Sequence, residues 1–244
     1  MTKNEEIMDK LEALGFDEWQ MREIREGLEH GLDVSKYADP KFRANQMWEI
    51  REGLEKGVDV SVYADATFDW MQMAQIREGL EKGLDASKYA DPKFDYDQMG
   101  EICYGLECGL DVSKYANPEF NSGQMRVIRD GLEAGVDVLA HADPREYNQY
   151  QMEQIYLGLE VGVDVSAYAD SRFGYAQMRE IRHGLESGVD VSKYADPMYD
   201  WKQMNKIRFG LEFGDGESIR AKGKTVVMAD DDFDDVVKGD RSLE

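Results

Sequence analysis

The side chains of this protein with the greatest capacity for chemistry are three histidines and two cysteines. His30, His141 and His183 lie far apart in the sequence, and their spacing is not that of a metal-ligand set. Cys103 and Cys108 are five residues apart, so on a helix they would point about 140° away from each other. We therefore expect no metal, no cofactor, no disulfide and no catalytic nucleophile with a base in reach.

Two acidic patterns recur along the chain. An arginine stands one turn before most copies of an invariant glutamate, but Cys103 and Tyr156 replace it in two copies, so an i,i+4 ion pair is not the whole role of the glutamate. We expect the glutamate to bond backbone N–H groups or an arginine of an adjacent repeat, rather than to act as a catalytic acid. Aspartates recur at the spacing of Asp33 and Asp39, which capping and turn formation explain without calcium. The glutamates are Glu29, Glu55, Glu81, Glu107, Glu133, Glu160, Glu186 and Glu212.

The phrase GLEHG is rich in glycine but is not a phosphate-binding loop. Such a loop follows a strand and carries a lysine, and neither accompanies this phrase. The sequence therefore predicts no nucleotide site, and we expect a protein that is not an enzyme.

The charge balance narrows the class of partner. The net charge is -22 and the pI about 4.5, which disfavours unaided binding to nucleic acid or anionic membrane, because both present phosphate to the protein. We therefore expect a protein partner, and the acidic charge of this chain favours a basic one. No apolar run is long enough to span a bilayer, and MTKNEEIMDK lacks the basic and apolar start of a signal peptide. We expect a cytoplasmic protein, whose oligomeric state the sequence leaves open.

Regularly spaced Gln-Met pairs divide most of the chain into repeats. They begin at Gln20, Gln46, Gln72, Gln98, Gln124, Gln151, Gln177 and Gln203. The spacing is 26 residues except once, where Pro-Arg-Glu-Tyr at 144–147 is one residue longer than Pro-Lys-Phe at 40–42. Eight copies, the last truncated, fill residues 16–214. A short period that returns so often is typical of a solenoid.

Each copy predicts a long helix followed by a very short one. Asp17 is placed as an N-cap, and Gln20 stands three residues later, which together make a capping box. Arg43 and Gly174 replace the cap residue in two copies, so those helices should start less firmly. The first helix ends before a left-handed Gly31.

One such hairpin cannot bury its own apolar stripe, so the copies must stack. The predicted fold is all-α: an α-solenoid of eight 26-residue αα-hairpin repeats. A capping helix over 1–15 precedes the repeats. An acidic tail over 215–244 follows them, with KTVVMA as a short strand or clasp and the rest disordered.

A glycine stands inside every long helix, where it costs about 1 kcal/mol relative to alanine. Because these glycines border the core stripe, we expect a neighbouring helix to approach too closely there for a Cβ. The set is Gly27, Gly53, Gly79, Gly105, Gly131, Gly158, Gly184 and Gly210.

The third, seventh and eleventh positions, counted from the glutamine of each pair, vary most and form one stripe opposite the core. One explanation of this variation is drift of unconstrained solvent-facing residues, and the other is selection of a partner. Drift favours polar residues, whereas apolar ones recur here, which favours a binding surface. The candidate partner-binding residues are Trp48, Tyr104, Cys108, Leu157, Val161, Phe209 and Phe213. The C-terminal segment is an alternative explanation for Phe209 and Phe213, because it would cover them. A second variable pair precedes each Gln-Met and includes Trp19, Trp70, Tyr96, Tyr150, Tyr175 and Trp201.

The pattern QM-x-x-I-R-x-GLE-x-G-x-DVS-x-YADP-x-F resembles tandem helical repeats of uncharacterised bacterial and mobile-element proteins. The resemblance covers about four-fifths of the chain and implies no activity. We expect a non-enzymatic protein–protein interaction scaffold that uses the variable outer face of its long helices. The alternative is an acidic nucleic-acid mimic that inhibits a basic nucleic-acid-binding protein.

Overall fold

The computed structural model describes residues 7, 8, 11 and 14–214. In this part the chain has eight helices, joined by short 3-10 turns, and no strand. The helices are α1 (Glu18–Glu29), α2 (Ala44–Lys56), α3 (Trp70–Glu81), α4 (Tyr96–Glu107), α5 (Ser122–Ala134), α6 (Gln149–Val161), α7 (Tyr175–Glu186) and α8 (Trp201–Phe213). The 3-10 turns are η1 (Val34–Lys36), η2 (Val60–Val62), η3 (Ala86–Lys88), η4 (Val112–Lys114), η5 (Val138–Ala140), η6 (Val165–Ala167) and η7 (Val191–Lys193).

The predicted fold class, an all-α solenoid of helical hairpin repeats, is confirmed. The chain forms two compact units, Met1–Val165 and Ser166–Glu244. Each helix of the first unit packs on the next one along the chain, and in the second unit α7 packs on α8. The predicted capping helix over 1–15 lies outside the described residues except for Ile7, Met8, Leu11 and two turn residues. The predicted tail over 215–244 lies outside them altogether.

The capping box predicted at the helix starts is present. In α1 the carboxylate of Asp17 accepts from the Gln20 backbone N–H, and the Gln20 side chain accepts from the Asp17 backbone N–H, both at 2.8 Å. Arg43 and Gly174 offer no side-chain cap, so α2 and α7 keep only the half of the box that glutamine provides. Gly31 ends the repeat's long helix at φ +71°, as predicted.

The same glutamine also ties each repeat to the next. The Gln20 side-chain amide donates to the carbonyl of Phe42 at 2.6 Å, in the turn that leads into α2. The equivalent bond to Phe68, Phe94, Phe120 or Tyr147 recurs along the first unit. Glutamate could cap the helix but could not donate to a carbonyl, which explains why this position is always glutamine. Sequence reasoning found only the capping role.

Consecutive helices of the first unit run parallel, as the contacts between α1 and α2 show. Near its start, α1 contacts the residues that precede α2 through Gln20, and at its end His30 lies 2.7 Å from Glu55, near the end of α2. Both contacts join equivalent ends, so the 3-10 turn and the YADP turn must carry the chain back between helices. Asp33 caps η1, accepting from the Ser35 hydroxyl at 2.6 Å.

The interior glycines make room for a tyrosine. A Cβ placed on Gly27 would lie 1.9 Å from the hydroxyl oxygen of Tyr37, which belongs to the same repeat. Tyr37 is fully buried and donates to the carbonyl of Glu23 at 3.0 Å. The prediction that a neighbouring helix makes the close approach is therefore wrong. A tyrosine takes that space at Gly53, Gly79, Gly105 and Gly184 as well, and Val138 takes it at Gly131, where His141 replaces the tyrosine.

Candidate binding surface

A ladder of buried ion pairs joins the flanks of neighbouring helices. At about 100° per residue the fourth and sixth positions of a repeat lie on opposite flanks of its helix, so parallel packing brings the glutamate of one flank against the arginine of the next. The Glu–Arg ladder consists of Glu23–Arg51 (3.0 Å), Glu49–Arg77 (2.9 Å) and Glu101–Arg129 in the first unit, and Glu180–Arg208 (3.1 Å) in the second.

The ladder is withdrawn from water. The side chains of Arg51 and Glu23 are only 7% and 3% exposed. Burial would lower the pKa of Arg51, but its hydrogen bonds to Glu23 and Glu55 outweigh burial and raise it. Burial raises the pKa of Glu49, although Arg77 opposes the shift. Separating the two partners of such a pair would leave each charge buried and unpaired, at a large cost in free energy. The pairs therefore favour a single register between neighbouring helices.

In two places along the ladder, both the glutamate and the arginine of a pair are replaced by other residues. The glutamate is replaced in four copies, by Gln75, Val127, Gln154 and Lys206. Cys103 and Tyr156 replace the arginine in the copies that follow Gln75 and Val127, whereas Arg182 is kept in the copy that follows Gln154. The Cys103 thiol is buried, and burial raises its pKa while hydrogen bonding to the Gln75 side chain opposes the rise. Cys103 is therefore a buried packing residue at a position where the uncharged pair Gln75 and Cys103 replaces the glutamate and arginine. The two copies that lack the arginine are thus copies in which the preceding repeat also lacks the glutamate that would pair with it.

The invariant glutamates bond mostly to their own helix. Glu55 accepts from Arg51 at 2.6 Å, one turn earlier, and also from His30 of the preceding repeat. Glu107, whose own arginine is missing, accepts instead from Lys82 of the preceding repeat at 2.6 Å. The prediction that these glutamates bind an arginine of an adjacent repeat is therefore wrong for Glu55 and Glu107. The arginine of the next repeat instead pairs with a ladder glutamate. The further glutamate bonds are Glu81–Arg77, Glu160–Tyr156, Glu186–Arg182 and Glu212–Arg208.

The candidate partner-binding residues occupy the outer stripe without forming one patch. In the first unit Trp48 lies on α2, Tyr104 lies on α4 with Cys108 one turn later at the C-cap of that helix, and Leu157 and Val161 lie one turn apart on α6. Packed helices stand about 8–10 Å apart, so the intervening α3 and α5 separate these three groups by roughly 20 Å. In the second unit Phe209 and Phe213 stack on α8, with ring centroids 5.4 Å apart.

Several of these aromatic rings lie over ladder arginines. The guanidinium of Arg77 is 6.0 Å from the ring centroid of Trp48, and that of Arg129 is 4.3 Å from the centroid of Tyr104. In the second unit Arg208 lies 4.9 Å from Phe209. A ring in this position attracts the cation and shields the ion pair from water. These residues therefore have a structural role, whatever else their exposed faces contact.

Three tryptophans do come together, from the first turns of α1 and α3 and the second turn of α2. Trp19, Trp48 and Trp70 line an open groove of about 410 Å³, which we call the tryptophan groove. Its other lining residues are Arg22, Glu23, Ala44 and Asn45. The three rings are 61%, 38% and 45% exposed. Sequence reasoning selected Trp48 alone as a binding residue, because only the register of three parallel helices brings the second variable pair beside it.

No protein-family model, curated protein or solved structure matches this chain. Among the described residues no cluster of histidine, cysteine or acidic side chains is arranged to hold a metal ion. No helix in this part of the chain is long and apolar enough to cross a membrane.

Proposed function

We propose that this protein is a non-enzymatic protein–protein interaction scaffold, and that the tryptophan groove on its outer helix face is the main contact with its partner. The observation that carries the proposal is the gathering of three exposed tryptophans from three different repeats. Tryptophan is the residue type most enriched at binding hot spots. Isolated exposed side chains need no explanation, but a groove lined by several large apolar rings is typical of an interface.

The area available in the groove is large enough to matter. The exposed parts of the three rings amount to roughly 300 Å², if each tryptophan side chain offers about 200 Å². Covering that area gives on the order of 7 kcal/mol before the cost of association is subtracted. The Glu–Arg ladder holds the helices in register, so little backbone conformational freedom is lost when a partner binds.

Charge supports a basic partner. The whole chain carries a net charge of -22, and this excess does not come from Glu26 and Glu52, the seventh-position acids of the first two repeats, because both are ion-paired with Arg51 at 3.2 and 3.6 Å. A partner with a basic rim around an apolar contact would associate faster and bind the correct face.

Affinity capture from the source cell, followed by titration of the purified partner, tests the proposal. Trp70→Ala should weaken binding at least tenfold, because it removes one wall of the groove. The matched control is Tyr96→Ala, which removes an exposed ring from the same position of α4, outside the groove. Equal affinity of Trp70→Ala and wild type would refute the proposal. Steep loss of affinity with added salt would instead favour nucleic-acid mimicry.

A further inference from the structure

Among the described residues, none covers the last helix in the way that the earlier helices are covered. In the second repeat Gln46 is buried and Gly53 lies beneath Tyr63, because the segment after the helix folds back over them. On α8 the equivalent Gln203 and Gly210 are exposed, and no atom of the described chain lies within 4 Å of a Cβ built on Gly210.

The aromatic residue that leads into α8 is less covered as well. Tyr199 is 38% exposed, whereas its counterpart Phe68 in the second repeat is 5% exposed. The next residue back, Met198, is 88% exposed. The end of the array therefore presents an apolar face with the shape that the second half of a repeat covers elsewhere.

A degenerate copy of that second half follows in the sequence. Residues 225–234, TVVMADDDFD, match residues 60–69 of the second repeat, VSVYADATFD, without a gap. Five of the ten positions are identical: Val227 with Val62, Ala229 with Ala64, Asp230 with Asp65, Phe233 with Phe68, and Asp234 with Asp69. Met228 stands where the repeats have the buried tyrosine.

We infer that residues 225–234 are a terminal half-repeat that docks on α8 and closes the array. In this arrangement Met228 covers Gly210, and the carbonyl of Phe233 accepts from the side-chain amide of Gln203, as Phe68 accepts from Gln46. Arrays of stacked repeats need a terminal unit with a polar outer face. Asp231 and Asp232 replace the Ala66 and Thr67 of the second repeat and give the segment such a face.

The connecting segment is long enough. From Gly210 to Met228 there are 18 residues, against 10 from Gly53 to Tyr63, so the connection carries eight extra residues. The ten residues between Gly214 and Thr225 reach about 33 Å when extended, and α8 is about 20 Å long. The half-repeat can therefore reach any part of α8.

Hydrogen exchange on the full chain tests this inference. Phe233→Ala and Met228→Ala should each speed the exchange of α8 amides at least tenfold, while the amides of α2 exchange as in the wild type. The matched control, Val236→Ala, removes an apolar side chain just beyond the matching segment and should leave α8 unchanged. Exchange in α8 that stays within twofold of the wild type in both variants would overturn the inference.

Disulfide trapping identifies the occupant of the face independently. In a Cys108→Ser background, Gly210→Cys with Met228→Cys should form an intramolecular disulfide at least tenfold faster than Gly210→Cys with Val236→Cys. Equal rates for the two pairs would contradict docking in this register. A cross-linked dimer as the main product, with α8 protection that rises with protein concentration, would show that a second copy occupies the face and would likewise overturn the inference.

Discussion

Replacing Gly105 by alanine should destabilise the protein, although alanine is the better helix former by about 1 kcal/mol. A Cβ on Gly105 would lie 1.8 Å from the Tyr115 hydroxyl oxygen and 3.1 Å from both the Tyr115 Cζ and the Val112 Cγ1. The ring must therefore move, although Tyr115 is fully buried and donates to the carbonyl of Glu101 at 3.1 Å.

The expected magnitude follows from three opposing effects. Forcing extra volume into a packed core costs about 1–3 kcal/mol. Losing the tyrosine hydrogen bond in a buried site costs about 1–3 kcal/mol. The gain in helix propensity offsets about 1 kcal/mol of this. Gly105→Ala should therefore lower the free energy of unfolding by about 1–5 kcal/mol.

The same helix provides a control with the opposite sign. Gly100 also lies inside α4, and no atom within the described chain is closer than 4 Å to a Cβ built there. Gly100→Ala should raise the free energy of unfolding by up to about 1 kcal/mol. Urea denaturation followed by circular dichroism compares the two variants in one background.

A double-mutant cycle tests the cause. Tyr115→Phe removes the oxygen that the new Cβ would meet, so Gly105→Ala should cost at least about 1 kcal/mol less in that background than in the wild type. Additive costs, or a Gly105→Ala variant as stable as the wild type, would refute the steric account.

Two further predictions concern the ladder and a partly buried histidine. Gln75→Glu combined with Cys103→Arg should install the missing ion pair. In urea denaturation, the double variant should be at least about 1 kcal/mol more stable than the sum of the two single effects predicts. Additive effects would contradict the role of the ladder. Burial, and then the neighbouring Arg182, lowers the pKa of His183 below its ordinary 6.5. The folded state thus binds the proton less readily than the unfolded state, and the contribution of His183 to stability, present above about pH 6.5, is lost as the pH falls through the lowered value. His183→Gln should flatten that part of the stability–pH profile, and an unchanged profile would contradict the assignment.

The repeat was predictable because its local signals agree with one another. The cap at Asp17, the stop at Gly31 and the apolar period of the helix all indicate the same boundaries, and the structure confirms them. The role of Gly27 was not predictable in the same way. Its partner Tyr37 lies ten residues away in the turn, and only the return path of the chain brings the two together.

The candidate surface was predictable only in part, because exposure and proximity depend on the register between helices. The outer stripe follows from the period of a single helix. The tryptophan groove joins the first-turn residues Trp19 and Trp70 of α1 and α3 to Trp48, the third position of the second repeat, so it depends on how three helices align. The ladder was missed for the same reason, since its partners stand 28 residues apart.

The ladder separates aromatic residues that maintain the fold from those available for binding. Trp48 and Tyr104 cover the guanidinium groups of Arg77 and Arg129, so their loss would expose a buried ion pair and change stability as well as binding. Trp70 is the first residue of α3, and no arginine of the described chain stacks on its ring. A change at Trp70 therefore reports on binding with the least disturbance of the fold. In titrations of the purified partner and in urea denaturation, Trp70→Ala should lower affinity alone, whereas Trp48→Ala should lower both affinity and stability.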